Sequence, residues 1–173
     1  EMEIKTIADP FMNEETEAFA KKCGIPNCTK DANDILNDPE IEAVLICSST
    51  YTHSKYIIEA AHAGKHIFCE KPIDYDLAKV HAAINAAKQA GVKLQIGFCR
   101  RFDHNHRAVY DMVRDGKVGK VNIIKISSRD PEPPPVSYVK VSGGIFYDMM
   151  IHDFDMARFL AGSEVTEVNA IGS

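Results

Sequence analysis

Three ionisable residues near the end of the chain have a spacing that can do proton chemistry: Asp148, His152 and Asp155. The pattern predicts a helix from about Phe146 to Ala161, and at about 100° per residue the three fall within an arc of about 60°. Tyr147, Ile151 and Phe154 flank that arc on one side, Met149, Met156 and Leu160 on the other. A carboxylate is costly to bury unless it is paired or hydrogen-bonded, so the stripe suits the lining of a site better than the filling of a core. Asp148 and His152 are four apart and within reach of each other, and a carboxylate that orients a histidine is a general-base arrangement. A satisfied structural His–Asp pair is the competing reading.

Lys71 is the second candidate. It follows the apolar run Ile67-Phe68-Cys69 and precedes Pro72, which holds its backbone extended. Its ammonium can donate to a hydroxyl or carbonyl oxygen that gains negative charge in a transition state; a plain surface turn is the alternative. Asp9 ends the run Ile4–Ala8. There it can accept from ribose hydroxyls and repel a 2′-phosphate, favouring NAD over NADP, or serve an Asp-Pro turn. Other matches carry nothing. His104-Asn105-His106 is a chance triplet, Ser48-Ser49 has no nucleophile-elbow glycines, and no second histidine stands at zincin spacing from His152, so no metal is expected.

A frame must position these residues. Ile4–Ala8, Ile41–Cys47, Ile67–Cys69 and Val92–Ile96 read as short apolar strands. Helices are expected at 13–23, after Asp31 to Leu36, at His53–Ala63 and at Asp76–Ala90. Alternation of this kind, with near-continuous apolar strands, predicts a parallel sheet covered by helices on both faces. Ligands of such sheets bind at the carboxyl ends of the strands. Asp9, Ser48-Ser49-Thr50 and Glu70-Lys71-Pro72 fall there, and Asp9, Ser48, Ser49, Thr50, His53, Glu70 and Lys71 form the expected cofactor-binding set. After Gly97 the texture changes: a helix at 104–115, an alternating strand Val121–Ser127, a Pro131–Pro135 loop, the His152 helix, and a strand Val165–Ile171. A domain boundary is expected near 98–103, dividing 1–100 from 101–173.

Composition narrows the classes. The chain has 173 residues, 45% hydrophobic and 26% charged, with a formal net charge of -5. A mildly acidic chain with scattered Lys and Arg argues against nucleic acid as a partner. No apolar run approaches the roughly 20 residues of a membrane span. The five cysteines are odd in number and include no C-x-x-C pair, which points to reduced thiols in the cytoplasm.

The residues Asp9, Glu70-Lys71-Pro72, Gly97 to Asp103 (GFCRRFD) and Gly143 to Arg158 (GGIFYDMMIHDFDMAR) resemble the glucose–fructose oxidoreductase / inositol dehydrogenase superfamily, Gfo/Idh/MocA. Ser128-Arg129-Asp130-Pro131 adds a likeness to its myo-inositol 2-dehydrogenase branch. The resemblance implies an α/β fold: a Rossmann-type NAD-binding domain followed by an open-sheet domain for substrate and oligomerisation, in a cytoplasmic homo-oligomer, a tetramer in the family. It implies a catalytic set of Lys71, Asp148 and His152, with Arg101 and Asp155 also near the substrate. The implied activity is hydride transfer between NAD and a CH–OH group of a polyol or sugar, with myo-inositol and 2-keto-myo-inositol as the leading pair. The family's opening strand and G-x-G-x-x-G turn have no counterpart here, and its later sheet strands would follow Ser173. The chain is therefore expected to hold a partial Rossmann domain and a partial second domain. A sugar- or cofactor-binding member without catalysis, an inactive fragment, or a reductase of imine-like substrates are the competing functions.

Overall fold

The computed structural model describes residues 3–172. Glu1 and Met2, at the head of the expected first strand, lie outside the described residues. The elements run β1 (Thr6–Ala8), α1 (Glu14–Lys22), β2 (Asn27–Thr29), α2 (Asn33–Leu36), β3 (Ala43–Ile46), α3 (His53–His62), β4 (His66–Cys69), α4 (Leu77–Ala90) and β5 (Leu94–Ile96). They continue with α5 (His104–Arg114), α6 (Val136–Val139), α7 (Ile145–Asp148) and α8 (Met150–Ala161). Single 3₁₀ turns at Thr50–Thr52 and Cys99–Arg101 precede α3 and α5. Two compact units part between Ile96 and Gly97.

In the first unit every strand pairing is parallel, as an α/β chain with crossover helices requires. β1 pairs with β2, and β3, β4 and β5 form a separate three-stranded sheet in that order. Register sets Val44 beside Ile67 beside Leu94, and Ile46 beside Cys69 beside Ile96. Because strand side chains alternate, this row shares one face. Ile57, Ala60 and Ala61 of α3 and Ala83, Ala86 and Ala87 of α4 close over it as the core. Small alanines let the two helices lie close against the sheet. The other face is less covered than the apolar runs suggest: Leu45 is 53% exposed. Both helices that enclose the described core, α3 and α4, pack against the one face that carries Val44 and Ile46.

Local chemistry places the helix ends. The Asn13 side chain accepts from the Thr16 amide and the Thr16 hydroxyl from the Asn13 amide, a capping box that starts α1. The Asp76 carboxylate accepts from the Ala78 amide at 2.8 Å, and α4 ends at Gly91 in the left-handed conformation, φ 68°. Lys65, buried just beyond α3, donates to the carbonyls of Asp38 at 2.7 Å and Ile41 at 2.8 Å. It ties the α3–β4 turn to the segment that leads into β3.

The second unit is helical with long irregular stretches. Three expectations fail here. The helix expected from Phe146 to Ala161 is two helices broken at Met149, so Asp148 and His152 stand on different elements. The strands expected at Val121–Ser127 and Val165–Ile171 make no ladder among the described residues. An alternating pattern becomes a strand only where a partner offers its backbone groups, and here the apolar side chains stay open: Ile123 is 87% and Val168 80% exposed. Among the described residues no helix is long and apolar enough to cross a membrane.

Candidate functional site

In the first unit the polar residues gather where the parallel strands end. The Glu70 amide donates to the Ile46 carbonyl at 2.9 Å, extending the β3–β4 pairing one step past Cys69, and the chain then passes through a cis Lys71–Pro72 bond. Lys71 is half-buried and Pro72 buried. Opposite, at the end of β3, Ser48 and Ser49 are exposed and Thr50 opens the 3₁₀ turn. The Ser48 and Thr52 hydroxyls lie 2.7 Å apart, and the Thr52 hydroxyl donates to the Ser49 carbonyl at 2.7 Å. The loop is therefore shaped by its own hydrogen bonds while its serines face outward.

At the end of β1, Asp9 is half-buried and one carboxylate oxygen accepts from the Phe11 amide at 2.8 Å. This turn fixes the carboxylate at the strand's carboxyl end, so the two readings of Asp9 are compatible. His53 behaves differently from the rest of the expected cofactor set. It is 1% exposed, with its ring nitrogens 2.8 Å from the carbonyls of Pro72 and Ser48. Its ring serves the loops and is not presented to a ligand. Beside it, the buried Ser54 hydroxyl donates to Asp74 at 2.6 Å.

Burial and charge also act on the thiols. Burial, with Cys47 and Glu70 nearby, pushes the Cys69 thiol up to about 12. Burial and Glu70 raise Cys47 as well. Neither suits nucleophilic chemistry at neutral pH. The described cysteines are all free thiols.

In the second unit, α8 carries His152, half-buried, and Asp155, buried. Asp155 takes the Arg101 guanidinium in a two-pronged pair, Nε at 2.7 Å and Nη2 at 2.6 Å. The hydrogen bonds that Arg101 donates to Asp155 raise the Arg101 pKa above its ordinary value. The Arg101 guanidinium also lies over the Phe159 ring, 4.8 Å from its centre, and Phe159 stacks on Tyr110. One residue before Arg101, Arg100 pairs with Asp153, two residues before Asp155, and Asp153 also accepts from the Ser128 hydroxyl at 2.6 Å. Adjacent arginines thus anchor α8 at Asp153 and Asp155, just after His152 in the same helix. Asp148, on α7, accepts from the Tyr138 hydroxyl at 2.8 Å.

Tyr138 and Ser54 carry no signal in the sequence, and Arg100 and Ser128 stand there only within the family-like motifs, with no contact implied. Their partners lie in other elements, and no periodicity joins them. His104-Asn105-His106 turns out to be a helix start: Asp103 accepts from the Asn105 and His106 amides, each at 3.0 Å. Among the described residues no group of three or more His, Cys, Asp or Glu is placed to hold a metal. An open groove of about 360 Å³ is lined by Val121, Ile123, Ala157, Ala161 and Val165, and none of the expected site residues is among them.

Parallel strands with crossover helices, and polar residues at the strand ends, define an α/β protein with a Rossmann-like NAD-binding fold. The chain belongs to the Gfo/Idh/MocA oxidoreductase family. Residues 1–98 match its model described as an oxidoreductase family with NAD-binding Rossmann fold, and residues 106–173 match its C-terminal domain model. The chain is 51% identical over 153 residues to myo-inositol 2-dehydrogenase of Thermotoga maritima, covering 88% of this chain and 46% of that protein. It is 48% identical over 167 residues to inositol 2-dehydrogenase of Rhizobium meliloti, covering 96% of this chain and 50% of that protein. The crystal structure of scyllo-inositol dehydrogenase from Lactobacillus casei with bound NAD(H) and scyllo-inositol superposes with a TM-score of 0.81 at 34% identity, covering 91% of this chain and 48% of that one. The chain spans about half the length of the curated relatives it matches.

Proposed function

We propose that the chain serves an NAD-dependent dehydrogenase that oxidises a CH–OH group of a polyol or sugar, with myo-inositol to 2-keto-myo-inositol as the substrate pair. The observation that carries the reading is where the chemistry-bearing residues fall. Lys71 lies within the residues matching the family's NAD-binding model, and Asp148 and His152 within those matching its C-terminal model. The resemblance between this chain and inositol dehydrogenases extends over nearly its whole length.

We assign residues 1–100 to cofactor binding and 101–173 to substrate binding and oligomerisation. Asp9, Ser48, Ser49, Thr50, Glu70 and Lys71 would hold NAD. The fit rests on their place at the strands' carboxyl ends, on a fixed Asp9 carboxylate suited to ribose hydroxyls, and on exposed serines. When bound, NAD supplies the hydride acceptor. His152 takes the proton of the reacting hydroxyl. Asp148 orients the imidazole and favours its charged form, and Tyr138 restrains Asp148. Lys71 donates to the oxygen as it becomes a carbonyl. Arg101 and Asp155, locked together, shape the substrate side as one unit. The family resemblance supports a cytoplasmic homo-oligomer.

The test is NADH formation by the full-length protein on myo-inositol, scyllo-inositol and glucose. Turnover with myo-inositol and NAD, and little with NADP, is the expected result. Binding of polyol and cofactor with no NADH absorbance would overturn the enzyme reading. Asp9→Ser should raise the KM for NAD and relax the exclusion of NADP; unchanged constants for both cofactors remove Asp9 from the site.

A further inference from the structure

The start of α3 touches both loops that carry the proposed cofactor and catalytic residues of the first unit. His53 is buried, with Nδ1 2.8 Å from the Pro72 carbonyl and Nε2 2.8 Å from the Ser48 carbonyl. A carbonyl only accepts, so a ring nitrogen that carries hydrogen donates to the carbonyl it faces. The next residue, Ser54, is also buried and donates to Asp74 at 2.6 Å. Two adjacent side chains therefore grip residues 72 and 74, just past Lys71, and one of them also grips residue 48.

We propose that His53 is a positioning residue: with Ser54 it latches the loop after β4 to the loop after β3, and so sets where Lys71 stands relative to the Ser48-Ser49-Thr50 segment. The proposal rests on the functional reading of Lys71 given above. It requires no contact between His53 and substrate or cofactor. An active-site group displaced by about 1 Å can lose about a hundredfold in rate, so a latch of this kind has a kinetic consequence.

The two ring nitrogens can be separated by substitution. The amide nitrogen of Asn falls near the place of Nδ1 and that of Gln near the place of Nε2. His53→Asn therefore keeps the Pro72 contact and loses Ser48, while His53→Gln keeps Ser48 and loses Pro72. In the full-length enzyme, His53→Gln should lower kcat about tenfold to a hundredfold with the KM for NAD little changed. His53→Asn should mainly raise the KM for NAD. In the Lys71→Ala background, His53→Gln should cost little further turnover, because both act at one place. Amide hydrogen exchange should rise in peptides covering 69–75 for the Gln variant and in those covering 47–52 for the Asn variant. Equal loss of both kinetic parameters in the two variants, additivity with Lys71→Ala, or exchange raised evenly across 3–96 would overturn the latch. If the wild-type protein forms no NADH from polyols, the functional reading fails, and the exchange pattern alone still decides the latch. Should one variant not fold, the other still gives a one-sided pattern that supports or refutes it.

Discussion

At the scale of single residues, the chemistry depends on where one compact charge sits. Lys71→Ala should cut turnover strongly, and Lys71→Arg should not restore it. Arginine keeps the charge, but its planar fork cannot place one donor at the same point. Steady-state kinetics that leave both variants near normal would end the catalytic role of Lys71. His152→Ala should lower kcat by about 10²–10⁴-fold with smaller change in cofactor affinity, the usual cost of losing a general base. A near wild-type rate would move that role to another group. Residues of this kind were legible because their types are rare beside apolar runs and their motifs are local. The Arg101–Asp155 pair was not legible as a pair, since 54 positions separate its members. Sequence showed each as a candidate ligand of the substrate, and only the fold showed that they bind each other. Tyr138 was hidden for the same reason: its partner Asp148 lies ten positions on, across an irregular turn.

At the scale of elements, the first unit was readable and the second only in part. Strands β3, β4 and β5 announce themselves as apolar runs. β2 does not, because Asn27-Cys28-Thr29 has no apolar pattern and becomes a strand only by pairing with β1. The break at Met149 has no Gly or Pro to signal it, so a continuous stripe was the natural reading. Ser54 and Asp74, which join α3 to the segment before α4, give an element-scale prediction. Burial alone would raise the Asp74 carboxyl, but the Ser54 hydroxyl and the Asp76 and Tyr75 amides outweigh it and hold it below its ordinary value. A depressed carboxyl contributes stability above its unfolded value, about 3.9, and that stability is lost as pH falls through the lower folded value. Ser54→Ala should therefore reduce stability at neutral pH and flatten its loss below roughly pH 4. Urea midpoints at neutral and acid pH check this, and parallel curves for the two proteins would refute it.

At the scale of the whole molecule, the two units differ in how much backbone is tied into regular structure. Residues 117–135 contain no helix or ladder and are mostly exposed. Such segments are where proteases cut first. Limited trypsin digestion of the 1–173 chain should cleave after Lys117, Lys120, Lys125 or Arg129 before any site in 3–96, read by mass spectrometry. First cuts within β3 to β5 would contradict the compactness of the first unit. The alternating patterns at 121–127 and 165–171 explain why a sheet was expected there: they supply the side-chain code of strands without a ladder among the described residues. One feature of the first unit lends itself to timing such events. Lys65 spends its ammonium on two carbonyls and is 4% exposed, so an amine reagent cannot reach it while the turn is closed. Its acetylation would act as a clock for the opening of that unit, starting only when the α3–β4 turn comes away from the segment before β3, while surface lysines such as Lys55 would be labelled from the first seconds.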